Sequence, residues 1–364
     1  MPLLLDDDQR EFGAAARAVF ERTADSRRVR AVHDAGAGFD RECWSALVEL
    51  GAPAAIIPEE FDGLGRGLTE ASLLMEACGR TIAPVPLYTA LLGAAAVLAT
   101  DDEPLQRDLL PAIASGSLLV APAFTEGPAS WIPGSPQTRF SDGAVTGVKR
   151  FVRDGQFADR LLVLADGDGE RVIALMDGAE SGLRRDPLGV LDRSVSAARV
   201  SAQEVPARRV AIGDIDAYLD RVDSVASILL ASAQYGAFQR GLEITAQYAK
   251  DRFQFGRSIG SFQGVKHPLA EWATESELAL SLLRSATSAG DADEPDFRVQ
   301  ALAVQVKMQS KAFWAASWMA RIHGGIGFTW EHDSHLFVKQ AKTSQVLLGT
   351  PGDRWERLAA ALGV

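Results

Sequence analysis

Five Asp-Gly pairs, at residues 142, 154, 166, 168 and 177, fall within one short stretch and constrain the fold more than any other feature. Asp-Gly supports the positive φ angles of tight hairpin turns. Short apolar runs rich in β-branched residues lie between the pairs, for example at 160–164 and 171–175. We therefore predict a small antiparallel, barrel-like β-domain over residues 118–208.

The residues before this stretch follow a helical period. Phe12, Ala16, Val19 and Phe20 recur at spacings of three and four, which is typical of one buried helix face. The pattern continues, with loop interruptions, to about residue 117. This part predicts an N-terminal all-α domain over residues 1–117.

Residues 213–364 return to long helical repeats. The loop 290–295 separates two of them, and the last helix is predicted from about Ser334 to Leu347, with 349–352 as its stop. We predict a four-helix bundle here. The fold class is then α+β, with a helical domain, a middle antiparallel β-domain and a C-terminal four-helix bundle.

Charge and cysteine content exclude several classes of function. The net charge of −11 disfavours binding to nucleic acid or to an anionic membrane, so an anionic ligand would need a local basic site. Two cysteines without metal-ligand spacing predict no metal site and a reduced, cytoplasmic protein. The acidic N-terminus predicts no signal peptide, and the apolar runs are too short to span a membrane.

Two C-terminal segments combine residues suited to a nucleotide. The segment 252–266 places Arg252 before a Phe-Gly bend at Phe255 and a Phe-Gln pair that ends at Gln263. A guanidinium matches phosphate oxygens in a two-pronged geometry. The segment 323–329 begins with a histidine and carries Gly324 and Gly325, which let a backbone approach a phosphate closely.

Together these segments resemble the acyl-CoA dehydrogenase family. The resemblance covers nearly the whole chain, including 40–65 and 147–152, and is most specific in the C-terminal third. It implies FAD as cofactor, an acyl-CoA substrate, α,β-desaturation of the thioester and an electron-transferring flavoprotein as acceptor. The residues that it implies for cofactor binding are Arg252, Phe255, Gln263, Arg321, Gly324, Gly325, Thr350 and Thr125.

Six of these eight residues also have a structural interpretation. Arg252, which matches the family arginine that reaches the FAD pyrophosphate of a neighbouring subunit, could pair with Asp251 or Glu243. Phe255 could be core packing, and Gln263 could cap its helix. Thr350 could satisfy backbone groups at a helix end, and the two glycines could form an ordinary turn.

The flavin-facing motifs depart from the family pattern. Where the family usually has Thr-Glu-Pro-Gly-x-Gly-Ser-Asp, this chain has Thr125-Glu126-Gly127-Pro128-Ala129-Ser130-Trp131. At 151–153, where the family usually has Trp-x-Thr, this chain has Phe-Val-Arg. Arg321 replaces the Gln that usually precedes the double glycine. These changes argue against a standard flavin pocket formed by this chain alone.

The catalytic carboxylate is absent from both of its usual places. The family reaction removes a proton α to the thioester, which needs a base, and the two positions that carry it are Ala226 and Leu348 here. Asp223, one turn before Ala226, is the remaining candidate on that helix. We therefore predict no confident catalytic residue in this chain.

Three hypotheses accommodate these observations. The chain resembles the subunit without the base in actinobacterial α2β2 heterotetramers, in which a Glu-bearing acyl-CoA dehydrogenase subunit supplies catalysis, with a steroid side chain or other bulky acyl group as substrate. Alternatively, it is a self-sufficient flavoenzyme of the same fold that uses Asp223 or another carboxylate. The third hypothesis is a structural or acyl-CoA-binding subunit without redox function.

Overall fold

A computed structural model describes residues 5–36 and 38–364 of the chain. Helices precede and follow a central sheet, which confirms the predicted fold class. The helices before the sheet are α1 (Asp7–Thr23), α2 (Ser26–Ala35), α3 (Arg41–Glu49), α4 (Leu68–Thr81), α5 (Leu87–Leu98) and α6 (Glu103–Ala114). None of the described helices is both long and apolar enough to cross a membrane.

The sheet is mixed rather than purely antiparallel. Its strands are β1 (Val120–Ala123), β2 (Arg139–Ser141), β3 (Ala144–Arg153), β4 (Arg160–Gly167), β5 (Glu170–Asp177), β6 (Leu183–Pro187) and β7 (Ala197–Arg209). Strands β1 and β2 both pair in parallel with β4, and the other pairings are antiparallel. The β2–β3 hairpin between β1 and β4 is a long enough excursion to return the chain in the same direction. Since β4 also pairs with β5, and β5 with β7, the strands close into a barrel around an apolar interior.

Only two of the five Asp-Gly pairs form the predicted hairpin turns. Asp142 and Gly143 join β2 to β3 with φ angles of 50° and 73°, and Asp168 and Gly169 join β4 to β5 with 59° and 92°. Both residues of each pair therefore adopt the left-handed conformation of a type I′ turn. The pair at 166 lies at the end of β4, and the pairs at 154 and 177 belong to longer connections.

Five helices and a small hairpin follow the sheet. They are α7 (Ile215–Asp251), β8 (Phe253–Gln254), β9 (Arg257–Ser258), α8 (Gln263–Asp291), α9 (Phe297–His323), α10 (Ser334–Ser344) and α11 (Pro351–Leu362). The prediction that α10 is the last helix is wrong. Thr350 caps α11 and Pro351 occupies its first turn, so this segment begins a helix as well as ending one. Leu358 of α11 packs on Leu302 and Val306 of α9.

Helices α4 and α7 cross with their backbones in contact. A Cβ added at Gly79 would lie 1.9 Å from the carbonyl oxygen of Ala233, and one at Gly236 would lie 2.0 Å from that of Glu76. Each helix therefore has a glycine where the other helix approaches. This crossing joins the N-terminal helices to the bundle in one continuous apolar core.

Candidate functional site

The predicted nucleotide-binding residues begin at the end of α7, where the chain forms the β8–β9 hairpin. The amide of Ile259 donates to the carbonyl oxygen of Arg252 at 2.8 Å and closes the hairpin. Phe255 and Gly256 at its tip have φ angles of 53° and 78°. The ring of Phe255 is 92% exposed, so the core-packing alternative does not hold for the described chain. The hairpin therefore presents an aromatic ring outward at a strained backbone position.

Arg252 forms neither of the salt bridges that its sequence neighbours offer. Asp251 accepts a hydrogen bond from Gln247 at 2.8 Å, and Glu243 pairs with Arg80 at 2.8 Å. Within residues 5–36 and 38–364, Arg252 has no carboxylate oxygen within 4.0 Å. Its guanidinium is on the exposed side of the hairpin, where phosphate oxygens could reach it.

The glycine segment lies beside the hairpin end of α7. Helix α9 ends at His323, whose ring stacks on Tyr248 with a centroid distance of 4.4 Å. Tyr248 precedes Arg252 by one helical turn, and its carbonyl oxygen accepts a hydrogen bond from the Arg252 amide at 2.9 Å. Gly324 follows with φ 64°, and no other group lies within 4 Å of a Cβ built on Gly325. The structure thus brings the two predicted segments together at one end of the bundle.

Gln263 and Arg321 complete this end of the bundle. Gln263 begins α8 without a side-chain capping bond, so the cap alternative is not observed. The guanidinium of Arg321 lies 5.4 Å from the Trp318 ring. Exposed apolar residues continue from the glycine segment; they are Ile326 (44%), Phe328 (74%) and Trp330 (66%). Exposed large apolar side chains that lie this close in sequence are typical of an interaction surface. We call these residues, with Arg252, Phe255, Gln263, Arg321, Gly324 and Gly325, the hairpin surface.

The two positions that the family resemblance assigns to the catalytic carboxylate lie in packed core. Ala226 is fully buried and Leu348 is 3% exposed. The phenol of Tyr88 donates to the carbonyl oxygen of Ala226 at 3.3 Å, and burial raises the Tyr88 pKa. Thr350 donates its amide to the carbonyl oxygen of Ala129 at 2.9 Å, while its hydroxyl accepts from the Asp353 amide at 3.2 Å. Thr350 therefore has the structural role that its alternative interpretation describes.

Asp223 is buried and bound on one oxygen by two donors. Its Oδ1 accepts from Trp131 Nε1 and from Arg354 Nη1, both at 2.7 Å. Arg354 is fully buried and also donates to the Ser227 hydroxyl at 2.5 Å. Arg357 lies 4.0 Å from the second oxygen, Oδ2. These contacts favour a structural carboxylate over a free base.

The loop that carries Thr125 is fixed by a second buried ion pair. Glu126 Oε1 lies 2.6 Å from Lys149 Nζ, and Glu126 also accepts the amides of Gln137 and Thr138. These interactions lower the Glu126 pKa against the opposing effect of burial. Thr125 itself accepts the Arg150 amide at 2.8 Å through its carbonyl oxygen. Thr125 thus contributes its backbone carbonyl group to the loop.

Arg153 is the residue that the family resemblance places at the position of the usual threonine. Its guanidinium lies 4.3 Å from the centroid of the Tyr88 ring and its Nε 3.9 Å from Asp154. Asp154 accepts from the Thr89 hydroxyl at 2.5 Å, and burial raises its pKa. Arg153 thereby packs the sheet against α5.

Sequence reasoning missed the contacts of Trp131, Arg354 and Lys149. Lys149 lies in β3 at a buried position, where an alternating strand pattern gives no reason for a cation. Arg354 lies in a helix that was not predicted at all. The departure at Trp131 was visible in the sequence, but its partner Asp223 is 92 residues away and could not be inferred from spacing. The described residues contain no cluster of side chains able to hold a metal ion.

Comparison with protein-family models decides the family. The acyl-CoA dehydrogenase N-terminal domain matches residues 6–117, and the acyl-CoA dehydrogenase C-terminal domain matches residues 224–363. The chain belongs to the acyl-CoA dehydrogenase family. Members of this family are oxidoreductases that act on acyl-CoA and normally bind FAD.

Individual relatives agree with this assignment. Acyl-CoA dehydrogenase IpdE2 of Mycolicibacterium smegmatis (strain ATCC 700084 / mc(2)155) is 31% identical over 94% of this chain and 95% of its own length. The structure of a Tcur3481-Tcur3483 steroid ACAD variant superimposes with a TM-score of 0.90 at 30% identity, covering 98% of each chain. The ChsE4-ChsE5 complex from Mycobacterium tuberculosis shares the fold, with a TM-score of 0.90 at 24% identity over 100% of this chain and 99% of that chain.

Proposed function

We propose that this chain is the subunit without the base in a heteromeric, FAD-dependent acyl-CoA dehydrogenase. One contrast carries the proposal. The hairpin surface is exposed, and Arg252 on it has no carboxylate partner among the described residues, whereas Ala226 and Leu348 are sealed in core. Among the described residues, the chain therefore exposes candidate cofactor contacts and carries no carboxylate at either of these two buried positions.

The hairpin surface fits the phosphates of FAD. Arg252 supplies a guanidinium that no described carboxylate neutralises, and Gly325 leaves room for a close backbone approach. Arg321 adds a second positive charge in the same region, and Phe255 adds an aromatic face. FAD bound there would supply the hydride acceptor, and the role of this chain's residues is to hold its phosphates and adenosine half.

The segments of this chain that the resemblance places beside the flavin, 125–131 and 151–153, do not fit an isoalloxazine ring. Trp131 and Asp223 are joined to each other, and Arg153 packs on Tyr88. The reacting carboxylate would therefore come from a Glu-bearing acyl-CoA dehydrogenase subunit that faces the hairpin surface. In that subunit's site the carboxylate removes the α-proton of the thioester. Hydrogen-bond donors would stabilise the charge on its oxygen.

The relatives support the class of substrate and the assembly. The Tcur3481-Tcur3483 protein is described as a steroid ACAD, and its name joins two components. By analogy, we assign this chain an α2β2 heterotetramer that acts on a steroid side chain or another bulky acyl-CoA. An electron-transferring flavoprotein is the corresponding electron acceptor.

The alternatives make different demands on the structure. A self-sufficient flavoenzyme would need Asp223 or another carboxylate to be free for proton transfer, and Asp223 is held by Trp131 and Arg354. A purely structural subunit would leave the exposed Arg252 and the open glycine turn unused, and an acyl-CoA-binding subunit without redox function would carry no flavin in any assembly. The heteromeric assignment accounts for both observations.

Co-expression with a Glu-bearing subunit, beginning with the product of the neighbouring gene, tests the assignment. The chain alone should carry little flavin, and the co-purified complex should carry FAD and desaturate an acyl-CoA. Glu→Gln in the partner should abolish turnover, whereas Asp223→Asn in this chain should leave turnover per folded complex within a few-fold. A flavin-loaded, active protein without a partner would contradict the proposal, as would a complex without flavin.

A further inference from the structure

Three buried polar atoms that have no hydrogen-bond partner among the described residues belong to side chains that line one cavity in the bundle. They are Oε1 of Gln234 on α7, Nε1 of Trp272 on α8 and Oε1 of Gln340 on α10. Gln234 is fully buried, Trp272 is 1% exposed and Gln340 is 8% exposed. Buried polar atoms in proteins are almost always hydrogen-bonded, so three unpaired ones in one place call for a ligand.

All three residues line one small cavity between the helices. About 10 Å³ of it is open to the centre of a water-sized sphere, which is the space that one water molecule requires. The other residues that line the cavity are all buried and have short or apolar side chains; they are Ala237, Phe238, Gly241, Ala312, Ala315, Ala316, Met319, Phe337 and Ala341. Because the neighbouring side chains are short, no described donor or acceptor reaches the three free atoms.

The orientation of one amide is set by its own neighbours. Gln234 donates from Nε2 to the Ser344 hydroxyl at 3.0 Å, and that hydroxyl donates to the carbonyl oxygen of Ala341 at 3.2 Å. The amide oxygen of Gln234 is therefore the atom left for the cavity. The Trp272 indole is held by Phe238 and Trp314, with ring centroids 5.5 Å and 6.4 Å away.

The geometry points to a single internal water molecule, bound by Trp272, Gln234 and Gln340. Water accepts one hydrogen bond from the indole N–H and donates one to each amide oxygen, so its hydrogen-bonding capacity matches the three free atoms in number. An ammonium ion cannot accept from the indole, and an apolar gas atom satisfies none of the three. The water joins α7, α8 and α10, the helices that flank the hairpin surface, and this inference does not depend on the proposed function.

Water–indole NMR on the full chain, in its complex if that is the purified form, tests the site. With ¹⁵N-labelled indoles, the Trp272 N–H should show cross-relaxation with a long-lived water, and Trp272→Phe assigns its signal. Trp131 is the internal control, because its buried indole already donates to Asp223. A Trp272 signal that behaves like that of Trp131 would overturn the inference.

A paired substitution adds a test that loss of folding cannot mimic. Gly241→Ala places a methyl group 3.1 Å from the Trp272 ring, inside the cavity wall, and should remove the water signal. Gly264→Ala in α8 meets no group within 4 Å and should retain it. Xenon binding at this cavity, or a water signal that persists in Gly241→Ala, would contradict a water site at these three atoms.

Discussion

Trp131 Nε1 and Asp223 Oδ1 lie 2.7 Å apart, in a hydrogen bond that ties the loop between β1 and β2 to helix α7. Arg354 from the C-terminal helix donates to the same oxygen. Three distant parts of the chain thus meet on one buried carboxylate. The Asp223 carboxylate therefore stabilises the packing of the sheet on the bundle. Measuring stability and turnover in the same variant distinguishes this structural role from a catalytic one.

Asp223→Asn should lower stability far more than activity. The substitution leaves the buried Arg354 guanidinium without its charge partner, which costs about 3–5 kcal/mol in comparable buried pairs. Urea denaturation measures this loss of stability. The control is Glu277→Gln, which replaces an exposed carboxylate on α8 with an amide and should leave the free energy of unfolding almost unchanged. If Asp223 were the base, turnover per folded complex would fall by roughly 10²–10⁴-fold instead.

Arg252→Ala should weaken FAD binding by the complex. A hydrogen bond to a charged group contributes about 1.5–3 kcal/mol, which corresponds to a loss of roughly 10- to 150-fold in affinity. Lys250→Ala removes an exposed positive charge two residues away and is the matched control. Flavin titration of both variants measures the difference, and equal affinities would contradict a phosphate contact at Arg252.

Glu126→Gln should destabilise the barrel, and a second substitution should restore it. With Glu126 neutralised, the Lys149 ammonium stays buried without its charge partner, at a cost of about 3–5 kcal/mol. Lys149→Met in the same chain removes that unpaired charge and should recover much of the loss. Thermal unfolding of the single and double variants measures the coupling, and additive effects would exclude a stabilising pair.

His335 should make the folded chain sensitive to acid. Burial, and then the charges of Lys339 and Arg30, lower its pKa from 6.5 to about 4, against the smaller opposite effect of Asp333. The folded state therefore binds fewer protons than the unfolded state in this range. Stability should fall as the pH drops from about 6.5 towards 4, by at most about 3 kcal/mol, since His335 is partly solvated.

His335→Gln isolates this contribution from other titrating groups. The buried carboxyls of Asp154 and Asp192, whose pKa values are raised by burial, act in the opposite direction and are common to both proteins. The difference in unfolding free energy between the two proteins should be constant above pH 6.5 and change below it. A constant difference down to pH 4 would mean that His335 titrates normally.

Local rules predicted some turns correctly, although three of the five Asp-Gly pairs do not form the predicted hairpin turns. The Phe-Gly bend at Phe255 and the hairpin turn at Asp142 follow from backbone preferences of a few residues, and both are where they were predicted. The parallel pairing of β1 with β4 depends on contacts between distant strands, which no local pattern encodes. Asp223 shows the same limit at the site, because its partners Trp131 and Arg354 are remote in sequence. The absence of a catalytic base at Ala226 and Leu348 is inferred from the family resemblance and stays a prediction.

The paired glycines of α4 and α7 have a mechanical consequence. Gly79 and Gly236 bring the two helices so close that neither can slide or rotate without a collision between main chains. A subunit that bound the hairpin end of α7 would therefore also fix the direction of α4, because α4 crosses α7 at Gly236, roughly 22 Å from the end of the helix at Asp251. Binding of a partner at this end of α7 would then rotate the N-terminal helices together with α7 as one rigid body.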